Sequence, residues 1–219
     1  MCWVLAAILV SGLSAHAGTV VFDDNFDNGL NNWFYRADYV PLEGAQISSD
    51  SDSSRGNVLS FNLAVNSGHI FSNMIFTVPD GGFLRVSFDY KGIDDPSGIG
   101  SGGYIGISDI PGTPGPRHTW LFAADNTFDT HPATQHLIDN VGWTTYSVDL
   151  YAGSPIFTYA GREDYSGIGF RLMLEDVYSP TGNAYFDNIK VESVPEPSSL
   201  SLLVAGGAVL MAAKRRRLV

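Results

Sequence analysis

Aromatic side chains on two polar stretches of the chain could bind a sugar. The apolar face of a sugar ring stacks on an aromatic ring, while its hydroxyl groups bond to Asn, Asp and Arg. Trp120 is the first candidate, because it follows His118 and a proline-rich stretch at 110–117. Tyr104 and Tyr159 are further candidates. The sequence thus indicates ligand binding at Trp120 and Tyr104, with packing in the core as the alternative.

Patterns that indicate catalysis are few. Residues 98–103 match the GxGxxG pattern but precede a predicted strand, so they lack the helix N-terminus that holds a phosphate. The histidines of 118–136 have no zinc-site spacing, and no GxSxG elbow occurs. A glycosidase pair, Glu163 and Glu175, is the remaining enzymatic pattern, and it depends on a separation that sequence does not give. We therefore predict a protein that is not an enzyme, with a glycosidase as the alternative.

Charge and cysteine content limit the partners. The net charge is −11 at pH 7, from 12 Lys and Arg against 23 Asp and Glu. This balance argues against nucleic acid and anionic lipid, and it makes cations the natural partners. The single cysteine, Cys2, falls in a predicted export signal, so the exported protein is expected to have no disulfide.

The N-terminus has the pattern of a secretory signal. An apolar stretch at 4–13 is followed by Ala15-His16-Ala17, which places small residues where a signal peptidase reads. We predict a signal peptide over 1–17, cleaved before Gly18. No Lys or Arg precedes the apolar stretch, which suggests that the true start lies upstream. A buried N-terminal strand is the alternative.

The C-terminus combines three features in a fixed order. Pro195-Glu196-Pro197 interrupts regular structure, and an uncharged apolar stretch follows at 198–213. The chain then carries four adjacent cations: Lys214, Arg215, Arg216 and Arg217. These features predict a transmembrane helix whose basic end stays in the cytoplasm. A plain membrane anchor is one reading of this segment.

The order of these three parts resembles the PEP-CTERM sorting signal of Gram-negative envelopes. The resemblance covers 194–219 and implies an exosortase as partner, a membrane cysteine transpeptidase that cuts near the Pro-Glu-Pro and passes the protein outward. Bacteria with this system typically make extracellular polysaccharide. The expected path is therefore export, anchoring in the inner membrane before processing, and release to the envelope or extracellular matrix.

The stretch between the two signals, 18–193, has the pattern of one all-β domain. Apolar residues alternate with polar ones, most clearly at 84–91, and Gly, Pro, Asn and Asp clusters separate the segments. Further strands are predicted at 59–65, 74–78, 103–108, 144–150, 168–174 and 184–191. Because no helical pattern intervenes, we expect two antiparallel sheets packed face to face as a jelly-roll sandwich.

Landmarks along this domain resemble carbohydrate-binding modules with the galactose-binding-like jelly roll. They are the Phe-Asp-Asn-Gly-Leu at 26–30 with Trp33, the stretch at 56–61, the strand at 84–91, Gly142-Trp143 and its successors, and the final Ala-Tyr-Phe-Asp-Asn-Ile-Lys-Val at 184–191. The resemblance implies a sugar-binding type of sandwich. It also implies that Trp33 and Trp143 lie near the core.

Asp187 is unusual among the strand residues. Strict alternation puts it on one face with Tyr185, Ile189 and Val191. A buried carboxylate must be neutralised, paired with a base or bound to a metal, and the aspartates of 23–27 supply only acid. The alternative is a strand-end aspartate that caps a turn in water.

The resemblance to carbohydrate-binding modules implies a structural Ca²⁺ here. It places the first and last strands side by side, with acidic calcium ligands at the positions of Asp27 and Asp187. Such an ion would join the two ends of a domain that lacks disulfides.

The function predicted from all of this is binding or structural. We expect an exported module that interacts with extracellular polysaccharide, processed by signal peptidase and exosortase and without nucleic acid as a partner.

Overall fold

The computed structural model describes residues 18–35, 45–50, 55–61, 68–93, 102–108, 118–124, 135–154, 169–177 and 183–195. The predicted signal peptide and the tail beyond Pro195 lie outside this part of the chain, as do Glu163 and Tyr159. In the described part no helix is long and apolar enough to cross a membrane.

The described residues form strands and no helix. The twelve strands are β1 (Thr19–Asp24), β2 (Trp33–Tyr35), β3 (Ala45–Ser49), β4 (Asn57–Phe61), β5 (Gly68–Ser72), β6 (Gly82–Ile93), β7 (Gly102–Ser108), β8 (His118–Ala124), β9 (Gln135–Leu137), β10 (Thr144–Tyr151), β11 (Arg171–Val177) and β12 (Asn183–Pro195). The predicted all-β class is confirmed. One predicted strand, at 74–78, is wrong, because only Phe76 bridges there, to Phe170.

The strands build two sheets. The first has the order β10-β6-β12-β4-β3, and β1 also pairs with β12. The second has the order β2-β5-β11-β7-β8-β9. Among the described strands, every pairing is antiparallel except that of β8 with β9, which is parallel. The prediction of two sheets is therefore confirmed. The prediction that both are purely antiparallel is corrected by the one parallel pair.

The core lies between the sheets and follows the predicted alternation. On β6 the side chains of Leu84, Val86, Phe88 and Tyr90 are buried and join the core cluster. The intervening Arg85 is exposed, and Ser87 is half-buried. Because each fully buried Leu, Val or Phe contributes about 1.5–3 kcal/mol, this alternation fixes which face of β6 turns inward.

Alternation fails on β12, where a bulge interrupts the strand. The register with β6 shifts between Asp187 and Lys190, and Asn188 has φ 49°. Before the bulge Phe186 belongs to the core, and after it Ile189 and Val191 do. The prediction that Asp187 shares a face with Ile189 and Val191 is therefore wrong, since the extra residue of a bulge reverses the parity of all that follows.

β1 closes the first sheet beside β4. It pairs with the second half of β12, from Thr19 opposite Ser193 to Asp24 opposite Ile189. β4 pairs with the first half of the same edge of β12. The expected adjacency of the first and last strands is thus observed.

Candidate functional site

The outer face of the second sheet is set by alternation on β11. Leu172 and Leu174 are buried in the core cluster between the sheets. Arg171, Met173 and Glu175 consequently face the other way. This outer face therefore combines a cation, a thioether and a carboxylate on one strand.

The same face brings the two predicted sugar-binding rings together. In register, Glu175 lies opposite Tyr104 on β7, and Trp120 on β8 lies opposite Gly106. The ring centroids of Tyr104 and Trp120 are 5.0 Å apart, with the planes inclined by 60°. A side chain at Gly106 would meet the Thr119 carbonyl at 2.6 Å and Trp120 Cε3 at 3.0 Å. A glycine is thus required where the indole crosses β7.

The two rings differ in access. Tyr104 is only 3% exposed, whereas Trp120 is half-buried and presents part of its ring. Glu175, the described member of the predicted glycosidase pair, is buried beside Tyr104. Ligand binding at Trp120 and Tyr104 stays a prediction, and Trp120 is the more accessible of the two rings.

Arg171 is a member of this face that the sequence reasoning missed. Its Nη1 donates to the carbonyl oxygens of Ser72 at 2.7 Å and Asn73 at 2.5 Å. The guanidinium carbon lies 5.1 Å from the centroid of the Phe34 ring. Burial lowers the pKa of Arg171 from its ordinary value. A period-two reading of β11 would have placed it on the same face as Glu175.

Asp187 lies on the outer face of the first sheet, and its partner is a base. Arg55 Nη1 donates to Asp187 at 3.1 Å and to Asp89 at 2.8 Å. Asp89 and Asp187 face each other in register across β6 and β12. Asp89 also accepts from Thr145 Oγ1 at 2.5 Å and Asn188 Nδ2 at 2.8 Å. One guanidinium therefore serves two carboxylates.

The two aspartates are shifted in opposite directions. Burial raises the pKa of Asp187, against bonds from the Asn188 amide and Arg55. Burial acts the same way on Asp89, but bonds from Thr145, Asn188 and Arg55 outweigh it and hold the pKa of Asp89 below its ordinary value. The hydrogen bonds and the charge of Arg55 therefore offset the effect of burial on the pKa for Asp89 but not for Asp187.

Asp27 has partners of its own. Its carboxylate accepts from Asn25 Nδ2 at 2.7 Å and from the Asn57 amide at 3.4 Å. Within the described ranges no group of three His, Cys, Asp or Glu residues could hold a metal ion. Asp187 is instead paired with Arg55, at 3.1 Å. The calcium prediction itself stays a prediction.

The two tryptophans that were expected near the core lie in different environments. Trp33 is buried, and its Nε1 donates to the buried Asp24 at 2.7 Å. Trp143 is half-buried outside the core cluster, with Arg55 4.3 Å and Lys91 5.0 Å from its ring centroid. The core prediction for Trp143 is wrong, because its ring covers the cations of the first sheet's outer face.

The end of β12 coincides with a recognised motif. Residues 193–217 match the family model described as the PEP-CTERM protein-sorting motif. The chain carries a PEP-CTERM motif. This confirms the resemblance predicted from the tail, and the motif implies a protein that is exported, held at the membrane and then cleaved. The comparison with curated proteins found no match.

Among solved structures, the PEP-CTERM chain is similar to carbohydrate-binding modules. One is the CBM22-1 xylan-binding domain of Paenibacillus barcinonensis Xyn10C, with 14% identity, 82% of this chain and 97% of that chain covered, and a TM-score of 0.47. Another is a family 11 module from Clostridium thermocellum in complex with a mixed-linked tetrasaccharide, with 13% identity, 82% and 99% covered, and a TM-score of 0.42. A third, TmCBM61 with β-1,4-galactotriose, has 13% identity, 77% and 93% covered, and a TM-score of 0.42.

Proposed function

We propose that the protein is an exosortase-sorted component of the envelope or extracellular matrix whose sandwich binds extracellular polysaccharide without cleaving it. The observation that carries the proposal is the Tyr104–Trp120 ring pair, 5.0 Å apart on the outer face of the second sheet. The sorting motif supports export to a place where such a polymer is met.

In the proposed binding surface, an apolar ring stacks on the sugar and a polar side chain bonds to its hydroxyl groups. The accessible part of the Trp120 indole stacks on a sugar ring, and buried Tyr104 holds that indole in place. Half-buried Arg171 lies on the same face and donates to sugar hydroxyls. Since rings and hydrogen-bonding groups are already fixed by strands, little ordering is lost on binding.

Glycoside hydrolysis is the second candidate, and the buried position of Glu175 beside Tyr104 favours it. The general acid of a glycosidase is a carboxyl group, and Glu175 supplies one on the same face as the two rings. Hydrolysis also needs a second carboxylate at a defined separation. The predicted partner, Glu163, lies outside the described residues.

Retention on the host's own matrix tests binding and cleavage together. The exported protein is incubated with that matrix, and both pull-down and newly formed reducing ends are measured. We expect Trp120→Ala to weaken retention by about 1–2 kcal/mol, while Val141→Ala, at an exposed apolar residue just before β10 of the other sheet, has no effect. Reducing ends that vanish in Glu175→Gln would establish the glycosidase. Neither retention nor cleavage would leave a structural envelope protein.

Structural calcium is a separate proposal. It is supported by carboxylates at both ends of the domain, Asp27 beyond β1 and Asp187 on β12, on strands that pair. An ion there would have to displace Arg55 from Asp187. If calcium binds, it stabilises the folded state by about 2.7 kcal/mol at a hundred times its dissociation constant, so chelation should lower the melting temperature. An unchanged melting temperature and no calcium by elemental analysis would rule the ion out.

A further inference from the structure

The sorting motif begins inside the sandwich. Its first residue, Ser193, is paired on both sides, with Leu84 on β6 and with Thr19 on β1. Val194 then lies opposite Phe83, and Pro195 lies opposite Gly82. The first three residues of the motif are therefore part of the first sheet, and no linker separates the folded domain from the Pro-Glu-Pro.

This placement limits how far the sorting enzyme can stand from the domain. Only Glu196 and Pro197 follow before the tripeptide ends, and two fully extended residues span about 7 Å. Even a 100-residue protein has a radius of gyration of about 13 Å. An enzyme that acts next to Pro197 must therefore touch the end of the sandwich from which β12 emerges, unless β12 first separates from β6 and β1.

That end carries an accessible apolar row, which we call the exit row: Tyr151 on β10, Phe83 on β6 and Val194 on β12. The three are consecutive in register across the strands. Tyr151 is 42% exposed, and its ring centroid lies 4.9 Å from that of Phe83. Phe83 and Val194 are half-buried. Aromatic side chains of this kind are enriched at protein interfaces.

We propose that the exit row is the surface on which the sorting enzyme docks, and that β12 stays paired while the enzyme acts. We assign this surface to the sorting enzyme because the row ends at Val194, which is the second residue of the sorting motif. This inference rests on the proposed sorting by an exosortase. It adds a folded recognition surface to a signal that is otherwise read as a linear peptide.

The rate of processing tests the row. The full chain is expressed in a host with the exosortase, and loss of the tail is followed over time by intact mass. We expect Tyr151→Ser and Phe83→Ser to slow processing by about fivefold or more, as truncation of interface anchors does. Ile138→Ser is the matched control: Ile138 is 62% exposed, and its amide bonds to Tyr146, toward the other end of β10. Wild-type rates in both row variants would overturn the proposal.

A linker separates docking from folding effects. Ten Gly and Ser residues inserted between Val194 and Pro195 keep the Pro-Glu-Pro contiguous and remove the need for contact with the row. In that background Tyr151→Ser should be processed at the same rate as the parent. A difference that persists with the linker would mean that the substitution acts by impairing the fold, and it would count against docking.

A disulfide tests whether β12 stays paired. Thr19 and Ser193 are direct partners in an antiparallel pair, a spacing of about 4.5–5.5 Å between Cα atoms that a disulfide can span. Thr19→Cys with Ser193→Cys should be processed at the wild-type rate. A pinned form that is processed only after reduction would show that β12 must open, and it would overturn the proposal.

Two further outcomes distinguish a failure of the docking surface from a failure of sorting by an exosortase. If the unaltered chain is never processed, sorting by an exosortase fails and the docking surface fails with it. In a host without the enzyme, wild type and row variants should fractionate alike with the membrane. Loss of membrane retention in the variants alone would assign the row to lipid and overturn the proposal.

Discussion

At the scale of single residues, Arg55 is the shared cationic partner of two carboxylates. It lies between Asp89 and Asp187, which face each other in register and are both largely buried. Like charges at this spacing repel, and in a partly buried site solvent screens them less than at the surface. Removing the shared cation leaves both carboxylates exposed to that repulsion.

The first prediction concerns Arg55→Met. At neutral pH the variant should lose about 3 kcal/mol of unfolding free energy, because it strands buried carboxylates. Asp187 already has a raised pKa, so its protonation favours the folded state once the pH falls below that value, and losing Arg55 raises the value further. The deficit should thus shrink from pH 7 toward pH 4. Denaturant unfolding at both pH values measures it.

Arg85→Met is the matched control for that experiment. Arg85 pairs with Asp149 at 2.7 Å in the same sheet, but the pair is exposed to solvent. An exposed pair contributes less than about 1 kcal/mol. Equal losses in the two variants would contradict the account of Arg55.

At the scale of elements, the bulge in β12 decides which side chains enter the core. Asn188 holds the bulge with φ 49°, a value that asparagine tolerates and β-branched residues do not. Its side chain also donates to Asp89 at 2.8 Å. Phe186 and Ile189 can therefore both face inward although an odd spacing separates them.

The second prediction is a comparison of two substitutions at Asn188. Asn188→Val should lower the unfolding free energy by about 2 kcal/mol or more, because it strains the backbone and loses the bond to Asp89. Asn188→Gly keeps the backbone conformation and should lose only about 1 kcal/mol. Thermal unfolding of both variants gives the comparison. A valine variant as stable as the glycine variant would show that the backbone at 188 carries no strain.

At the scale of the whole molecule, the two ends of the described domain meet. Thr19 pairs with Ser193, so the segment before β1 and the segment after β12 leave from the same end of the first sheet. The predicted signal peptide and the sorting motif are attached at this end.

The third prediction is that sorting removes the tail. In a host with an exosortase, the exported form should lack the segment after about Pro197, because the motif at 193–217 directs cleavage. Intact mass of that form measures the new terminus. A mature species that still ends at Val219 would leave the plain membrane anchor as the reading of the tail.

The sequence by itself determined the properties that are local along the chain. Alternation on β6 predicted a strand with Leu84, Val86, Phe88 and Tyr90 inward, because a period of two is a property of extended backbone alone. The sorting motif was equally readable, since its parts follow one another in order. The all-β class rests on the same kind of signal.

Only the tertiary structure decided which distant groups meet. Arg55 and Asp187 are 132 positions apart, and Tyr104 joins Trp120 through the register of β7 and β8. Such contacts depend on strand order and register, which short sequence patterns do not encode. The bulge at Asn188 is an example. Its extra residue puts Ile189 and Val191 on the opposite face from Asp187, although simple alternation predicts one shared face. Its neighbours in space, and not its neighbours in sequence, gave that carboxylate a base as its partner.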